Sequence, residues 1–427
     1  MVSPGIKHIV VIGGGFAGLN FIKTLANDKN YTITLVDKNN YNQFTPLVYQ
    51  VATGFLEPSN ISYPFRKFLR KRKNIRFHLG ELKKISAAEH KVYLNNATLE
   101  YDYLVLAFGS ISNFFGNDIL KRNTIPMKTL TDALGMRNAL LQSLEEACNT
   151  TDETLRRKLL TIVVAGGGPT GVEVSGMLGE MRKNIIQKDY PELKNAMGDI
   201  YIVDGAKALL SQMSEQAQRD ATKTLEKLGI KIITNTFINS YENDEVKLSG
   251  GNIIQTKNLI WAAGVTGNVI EGIPASAYGR GKRIMVDEYN RVAGLDNVYA
   301  VGDNCLLTGD KKFPDGHAQL AQPAIQQGTH LAKIFKAIAK GKAPQPFAYY
   351  DKGVMAIIGK NRAVVDLEKP KMHVGGFPAL LIWLFIHIAS LIAFDNRLKT
   401  LYNWIIGYFT KDQSLRMVIK ATDKVQN

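Results

Sequence analysis

The sequence predicts an α/β chain of two Rossmann-like dinucleotide-binding domains, the second inserted in the first, followed by a C-terminal helical membrane-contacting region. Two glycine-rich loops carry that expectation: Val10-Val11-Ile12-Gly13-Gly14-Gly15-Phe16-Ala17-Gly18 and Val163-Val164-Ala165-Gly166-Gly167-Gly168-Pro169-Thr170-Gly171. Each follows a β-branched apolar run and leads into a helical pattern, the setting in which such a loop cradles a pyrophosphate. The third observation is a late apolar run, Phe377 to Phe394, interrupted only by His387 and Ser390.

Within each loop the glycines have separate expected tasks. Gly13 and Gly166 make the tight turn, Gly15 and Gly168 let the backbone approach a pyrophosphate, and Gly18 and Gly171 let helix pack on strand. The helix N terminus then supplies free N–H groups to the phosphates. Tyr31 to Asp37 reads as a strand ending in a carboxylate at the spacing of a ribose 2′-hydroxyl, and Ile200 to Asp204 repeats it after an insertion, Lys183 to Asp199. A carboxylate there opposes a 2′-phosphate, so NADH is expected over NADPH. The plain alternative for either aspartate is a strand-end turn residue.

Composition narrows the chemistry. A chain of 427 residues with 45% hydrophobic content allows two to three domains with large cores. Cys148 and Cys305 are the only cysteines, without a CxxC pair, which removes dithiol and paired-cysteine sulfide chemistry. Cys305 reads as a buried space-filler. The seven histidines show no metal-ligand spacing, so no metal is expected. No apolar leader precedes the first strand at about His8, which predicts a chain that starts in the cytosol. The net charge of +15, densest from Arg66 to Lys73, suits an anionic membrane surface. Without a recognised nucleic-acid fold around it, this run does not predict a nucleic-acid partner, and a solvated helix face is its plain reading.

Toward the C terminus, the run from Phe377 to Phe394 reaches the lower limit for a membrane span and is broken by Asp395-Asn396-Arg397. Leu398, Leu401, Tyr402, Ile405 and Phe409 then recur at helical spacing, with Trp404 and Tyr408 as interfacial anchors and Arg397, Lys399, Lys411, Arg416 and Lys420 around them. Such a helix suits the interface plane of an anionic bilayer. A single span and a buried homodimer interface are the alternatives.

Leu295 to Val301 delivers Gly302-Asp303 to a loop, and here the chain resembles the two-dinucleotide flavoprotein reductases. Tyr103 to Ser110 and Leu259 to Val265 resemble that family's two chain crossings, with Phe108 in place of the usual threonine. From His317 to Gly328, read as the start of a helix, Gln322 and Gln326 stand four apart on one helix face, and neutral amides hydrogen-bond a carbonyl without protonating it. The Ala-Gln-x-Ala-x-Gln pattern resembles the quinone motif of type II NADH dehydrogenases, the single-subunit NADH:quinone oxidoreductases. Asn40 to Gly54 resembles the stretch that passes over the isoalloxazine ring, and Gly171-Val172-Glu173 the motif whose glutamate assists proton delivery.

The resemblance implies FAD on Gly13, Gly15, Gly18, Asp37, Lys38, Pro46, Gln50, Val51, Ala52, Gly302, Asp303, Ala321 and Gln322. It implies NADH on Gly166, Gly168, Thr170, Gly171, Asp204, Ala263 and Gly264, and a quinone (menaquinone or ubiquinone) at Gln322 and Gln326. Glu173, Gln322 and Gln326 are the implied catalytic residues. Glu173 is expected in the first helical turn, where the dipole keeps it ionised. The FAD domain is expected at residues 1–113 and 281–340, the NADH domain at 114–280 and the membrane-associating region at 341–427. The implied activity is respiratory NADH oxidation without proton pumping, by a monotopic protein on the cytoplasmic face of the inner membrane. A soluble NADH-dependent ferredoxin- or rubredoxin-type reductase and a redox-sensing NADH-binding flavoprotein are the competing readings.

Overall fold

Ile9, Val10, Val11 and Ile12 are all buried, as a strand covered on both faces requires, and Lys7–Ile12 is the central strand of a five-stranded parallel sheet. The computed structural model describes residues 5–194, 196, 198–410 and 416–418. Their contacts group into two units, which are taken separately.

The first unit comprises Met1–Asn42, Tyr63–Ile111 and Val265–Asp351. Its main sheet runs Val298–Ala300, Tyr103–Leu106, Lys7–Ile12, Tyr31–Asp37, Ile75–Leu79, with Val11 opposite both Leu35 and Val105. Successive strands leave the central one on opposite sides, which opens a crevice at its C-terminal end, where the first glycine loop lies. Helices Phe16–Thr24 and Ala321–Ala339 pack against each other so closely that a Cβ on Gly328 would stand 2.1 Å from the Ala17 carbonyl oxygen. The latter helix begins at Ala321, four residues beyond the expected His317, and has Pro323 in its first turn. Chain return to this unit falls at Val265, ahead of the expected residue 281. Ile270, Ile273 and Ala277 enter a core with Ile85 and Val92, and Gly267 donates to the Gly281 carbonyl at 2.7 Å.

The second unit comprises Gln43–Ser62, Ser112–Gly264 and Lys352–Asn427. Its parallel sheet repeats the first topology: Ile125–Pro126, Asn258–Trp261, Ile162–Ala165, Ile200–Val203, Ile230–Ile233. Three antiparallel strands, Val354–Ile357, Ala363–Leu367 and Met372–Gly375, then lead into helix Gly376–Ser390. The apolar run is therefore split: a second helix, Phe394–Thr410, starts within it. No described helix is long and apolar enough to cross a membrane.

Helix Phe394–Thr410 is amphipathic in an inverted sense. Its buried positions are Asn396, Thr400 and Gly407, whereas Leu398, Leu401, Tyr402, Ile405 and Phe409 are exposed. Asn396 Nδ2 donates to the carbonyls of Ser59, Asn60 and Ser62 at 3.2, 2.8 and 2.9 Å, which accounts for an amide on the protein-facing side. Two expected membrane-surface groups are otherwise engaged: Trp404 is half-buried with its indole N–H bonded inside the unit, and Arg416 pairs with Asp189 at 2.5 Å. Lys411 and Lys420 lie outside the described residues.

Candidate active site

The two glycine loops have matching geometry, each within its own unit. Gly13 and Gly166 turn at φ 101° and 106°. A Cβ on either would stand 2.4 Å from a carbonyl oxygen of the adjacent crossing strand, Ala107 or Ala262. A Cβ on Gly18 would meet the Gly13 oxygen at 1.9 Å, and one on Gly171 the Gly166 oxygen at 1.8 Å. Gly15 and Gly168 differ: a Cβ there meets nothing within 4 Å. Each is the N-cap of the following helix, so the vacant side faces the free N–H groups of a first turn. Thr170 is exposed in the first turn of Pro169–Met181.

The aspartates brace these loops. Asp37 accepts from Gly14 N and Asn39 N at 2.7 and 2.8 Å; burial pushes its pKa up, and the two N–H bonds oppose the shift. Asp204 accepts from Gly167 N and, at 2.6 Å, from Ala206 N. The two crossings match as well, since Gly109 and Gly264 share a positive φ and open surroundings, and Phe108 takes the place held by Ala263. Phe108 packs against the hydrophobic core, which gives a large side chain a place in that crossing. Lys38 is exposed beside Asp37.

At the second approach to the first loop, Asp303 accepts from Ser110 Oγ at 2.8 Å and its carbonyl from Gln319 Nε2 at 2.9 Å. Gly302 N and Cys305 Sγ both donate to Gln327 Oε1, at 2.7 and 3.2 Å. Burial pushes the Cys305 thiol up to about 12, which leaves it inert as a nucleophile. Ala321 and Gln322 open the helix that follows. Gln326 exchanges two bonds with the backbone of Tyr350, donating to its oxygen at 2.8 Å and accepting from its nitrogen at 3.0 Å.

In the second unit, Glu173 is buried on helix Pro169–Met181 and accepts from Ile357 N at 3.4 Å. Its place is the fifth residue of the helix, so the first-turn expectation is corrected. Burial works against the expected ionisation, since it holds the carboxyl well above the usual carboxylate range and the single N–H bond only partly opposes that. Pro46 lies in a 3₁₀ turn, and Val51 and Ala52 are fully buried on the short helix Val48–Ala52. On the same helix, the Gln50 amide is engaged at both ends, by Tyr49 and by Trp404.

A family model described as pyridine nucleotide-disulphide oxidoreductase matches residues 7–328, and one described as NDH2 C-terminal domain matches 352–411. The type II NADH:quinone oxidoreductase Ndh of Mycobacterium tuberculosis is 33% identical over 425 residues, covering 96% of this chain and 89% of its own. The chain belongs to the type II NADH:quinone oxidoreductase family. A mitochondrial external alternative NADH-ubiquinone oxidoreductase of Yarrowia lipolytica is 26% identical, covering 96% of this chain and 81% of its own. The fold is that of a solved Plasmodium falciparum NDH2 in complex with NADH, at a TM-score of 0.88 and 22% identity, over 97% of this chain and 100% of that one. An Aquifex aeolicus sulfide:quinone oxidoreductase superposes less closely, at 0.73 and 20% identity, over 95% and 96% of the chains.

For a type II family member the residues fit two dinucleotides. Both loops leave a space that any Cβ would fill, ringed by helix N-terminal N–H groups, and both have a braced carboxylate at the neighbouring strand end. Several side chains around these sites are not singled out by the sequence pattern: Asn42, which donates to Gly14 O at 2.7 Å, and Ser110, Asn304, Gln319 and Gln327 around Gly302-Asp303. Gln327, adjacent to the quinone-motif Gln326, is the most deeply buried of the four glutamines at this helix start, and only its position one residue out of the Gln322/Gln326 register set it apart.

Proposed function

We infer that this protein oxidises NADH and reduces a membrane quinone through FAD, without proton pumping. The observation that carries the reading is the duplicated open cradle at Gly15 and Gly168 in one chain of this family. Bound FAD supplies the redox chemistry, accepting a hydride from the nicotinamide and passing two electrons on to quinone. The chain supplies positioning: the first loop with Asp37 and Asp303 holds FAD, and the second with Asp204, Ala263 and Gly264 holds NADH. Glu173, whose carboxyl burial holds well above the usual carboxylate range, serves as the acid–base group. Gln322 and the second amide hydrogen of Gln326 bond the quinone carbonyls, so Gln322→Leu is expected to slow flavin reoxidation by about tenfold while NADH reduces the flavin as before. Steady-state NADH consumption that does not depend on added quinone would remove the reading.

Asp204 selects NADH by accepting a ribose hydroxyl and repelling a 2′-phosphate. Asp204→Ser should narrow the ratio of the NADH to NADPH specificity constants by about tenfold. An unmoved ratio assigns the selection to another residue.

The chain lies on the cytoplasmic face of a membrane through its two C-terminal helices. What supports this is the outward row of Phe385, Leu398, Leu401, Ile405 and Phe409, with Phe385 74% and Phe409 77% exposed. Neither phenylalanine contributes to the core, so replacing both by serine is expected to leave melting temperature unchanged and to lower binding to anionic vesicles by about tenfold or more. Retained vesicle binding, together with loss of a dimer, would assign the row to a homodimer interface instead.

A further inference from the structure

Strand Ile230–Ile233 ends beside Asp204, whose N–H donates to the Ile233 carbonyl at 2.9 Å. The chain beyond it turns back along Asp204 to Ala206: Thr236 N donates to the Asp204 carbonyl at 3.0 Å and Asn235 N to the Ala206 carbonyl at 2.9 Å, with Asn235 at φ 52°. This turn delivers Phe237. Its backbone is clamped by one residue, since its N–H donates to Ser249 Oγ at 3.1 Å and its carbonyl accepts from Ser249 N at 2.9 Å. Its ring lies on Gly205, where a Cβ would stand within 2.9 Å of the ring atoms Cδ1, Cε1 and Cζ. Gly205 does not take a positive φ, so the side chain missing from it answers to the ring and not to backbone strain. Although seated on that residue, Phe237 is 66% exposed. A glycine thus clears the floor for a phenyl ring whose other side is largely open.

We propose that Phe237 is the platform on which the adenine of NADH stacks. The proposal rests on the nucleotide site given to the second loop above. In that site Gly168 takes the pyrophosphate and Asp204 the ribose, and the base is the part of the adenosine half that neither holds. The base is carried by the ribose, so it leaves from beside Asp204, and the next residue, Gly205, bears the ring. Every base has a π face, and an aromatic ring with one side open takes that face without a hydrogen bond. The ring reads neither the ribose 2′ position nor the nicotinamide. Phe237 therefore sets how tightly the adenosine half is held, and Asp204 sets which ribose is accepted.

ADP-ribose carries the adenosine half without the nicotinamide, and reduced nicotinamide mononucleotide carries the other half without adenine. Calorimetric titration of the FAD-loaded protein with ADP-ribose is expected to give a dissociation constant about tenfold higher in Phe237→Ala. Flavin reduction by reduced nicotinamide mononucleotide should keep its concentration dependence in the same variant. The melting temperature should not move, because the ring is exposed and both backbone bonds remain. Phe237→Trp should bind ADP-ribose at least as tightly, and the emission of the added indole should be quenched on binding, a signature that a merely structural ring would not give. NADH and NADPH should lose affinity by the same factor in Phe237→Ala, so the ratio that Asp204→Ser narrows stays where it is. Unchanged ADP-ribose affinity in Phe237→Ala, or an equal loss for reduced nicotinamide mononucleotide, would overturn the proposal. Gly168→Val separates that failure from failure of the site. ADP-ribose binding weakened in Gly168→Val but not in Phe237→Ala refutes the platform alone, whereas binding unaffected by either removes the nucleotide from the second loop and the platform with it.

Discussion

Gly168→Val is expected to yield a protein that folds and binds FAD as before but takes NADH about a hundredfold more weakly. A Cβ at Gly168 meets nothing within 4 Å, so the branch starts in open space and the fold is expected to tolerate it. It fills the space through which a pyrophosphate reaches the first-turn N–H groups, and two charge-assisted bonds worth ~1.5 kcal/mol each account for the loss. Gly171→Val, three residues further along the loop, should behave differently. Its Cβ would stand 1.8 Å from the Gly166 oxygen, and no backbone tolerates that contact, so this variant should lose melting temperature as well as NADH. Calorimetric titration with NADH beside thermal melts separates the two. Equal melting temperatures and equal affinities across the pair would show that the second loop does not hold the nucleotide.

The other large effect is expected at Glu173. Glu173→Gln keeps an oxygen for the Ile357 N–H and removes the exchangeable proton, so flavin reoxidation by quinone should fall by about 10² or more while reduction by NADH persists. Stability should move the opposite way. The carboxyl titrates at about 4.5 when unfolded and well above that when buried, so above pH 4.5 the unfolded chain sheds a proton that the folded one keeps. Folding is therefore penalised at neutral pH by Glu173, and the glutamine variant should melt higher at pH 7, with the two proteins converging below about pH 4.5. A variant that melts lower at pH 7 would mean that the carboxyl is ionised and satisfied in the folded protein.

The loops were legible in the sequence because the demand on them is local. Gly13 and Gly18 answer to contacts within six residues or to a neighbouring strand, Gly15 caps the helix that follows it, and spacing alone encodes such demands. The network beneath them is not local. Gln327 meets Gly302 across 25 positions and Trp404 meets Gln50 across 354, and a single polar residue in a helix has no periodicity to announce its partner. Glu173 shows a subtler limit: the motif gives its neighbours in the chain, whereas its proton affinity depends on burial by Val48–Ala52 and Val354–Ile357. Helix Phe394–Thr410 shows a third. An apolar stripe has the same spacing whether it faces a core or the outside, and only the burial of Asn396 and Thr400 reveals that the stripe faces outward.

Anaerobic rapid mixing of the FAD-loaded protein, first with NADH and then with a menaquinone or ubiquinone analogue, tests the central claim most directly. The account predicts flavin bleached by one equivalent of NADH and restored by one equivalent of quinone, with both steps at least as fast as steady-state turnover. Flavin that NADH reduces but quinone does not reoxidise, while a ferredoxin-type protein does, would contradict it.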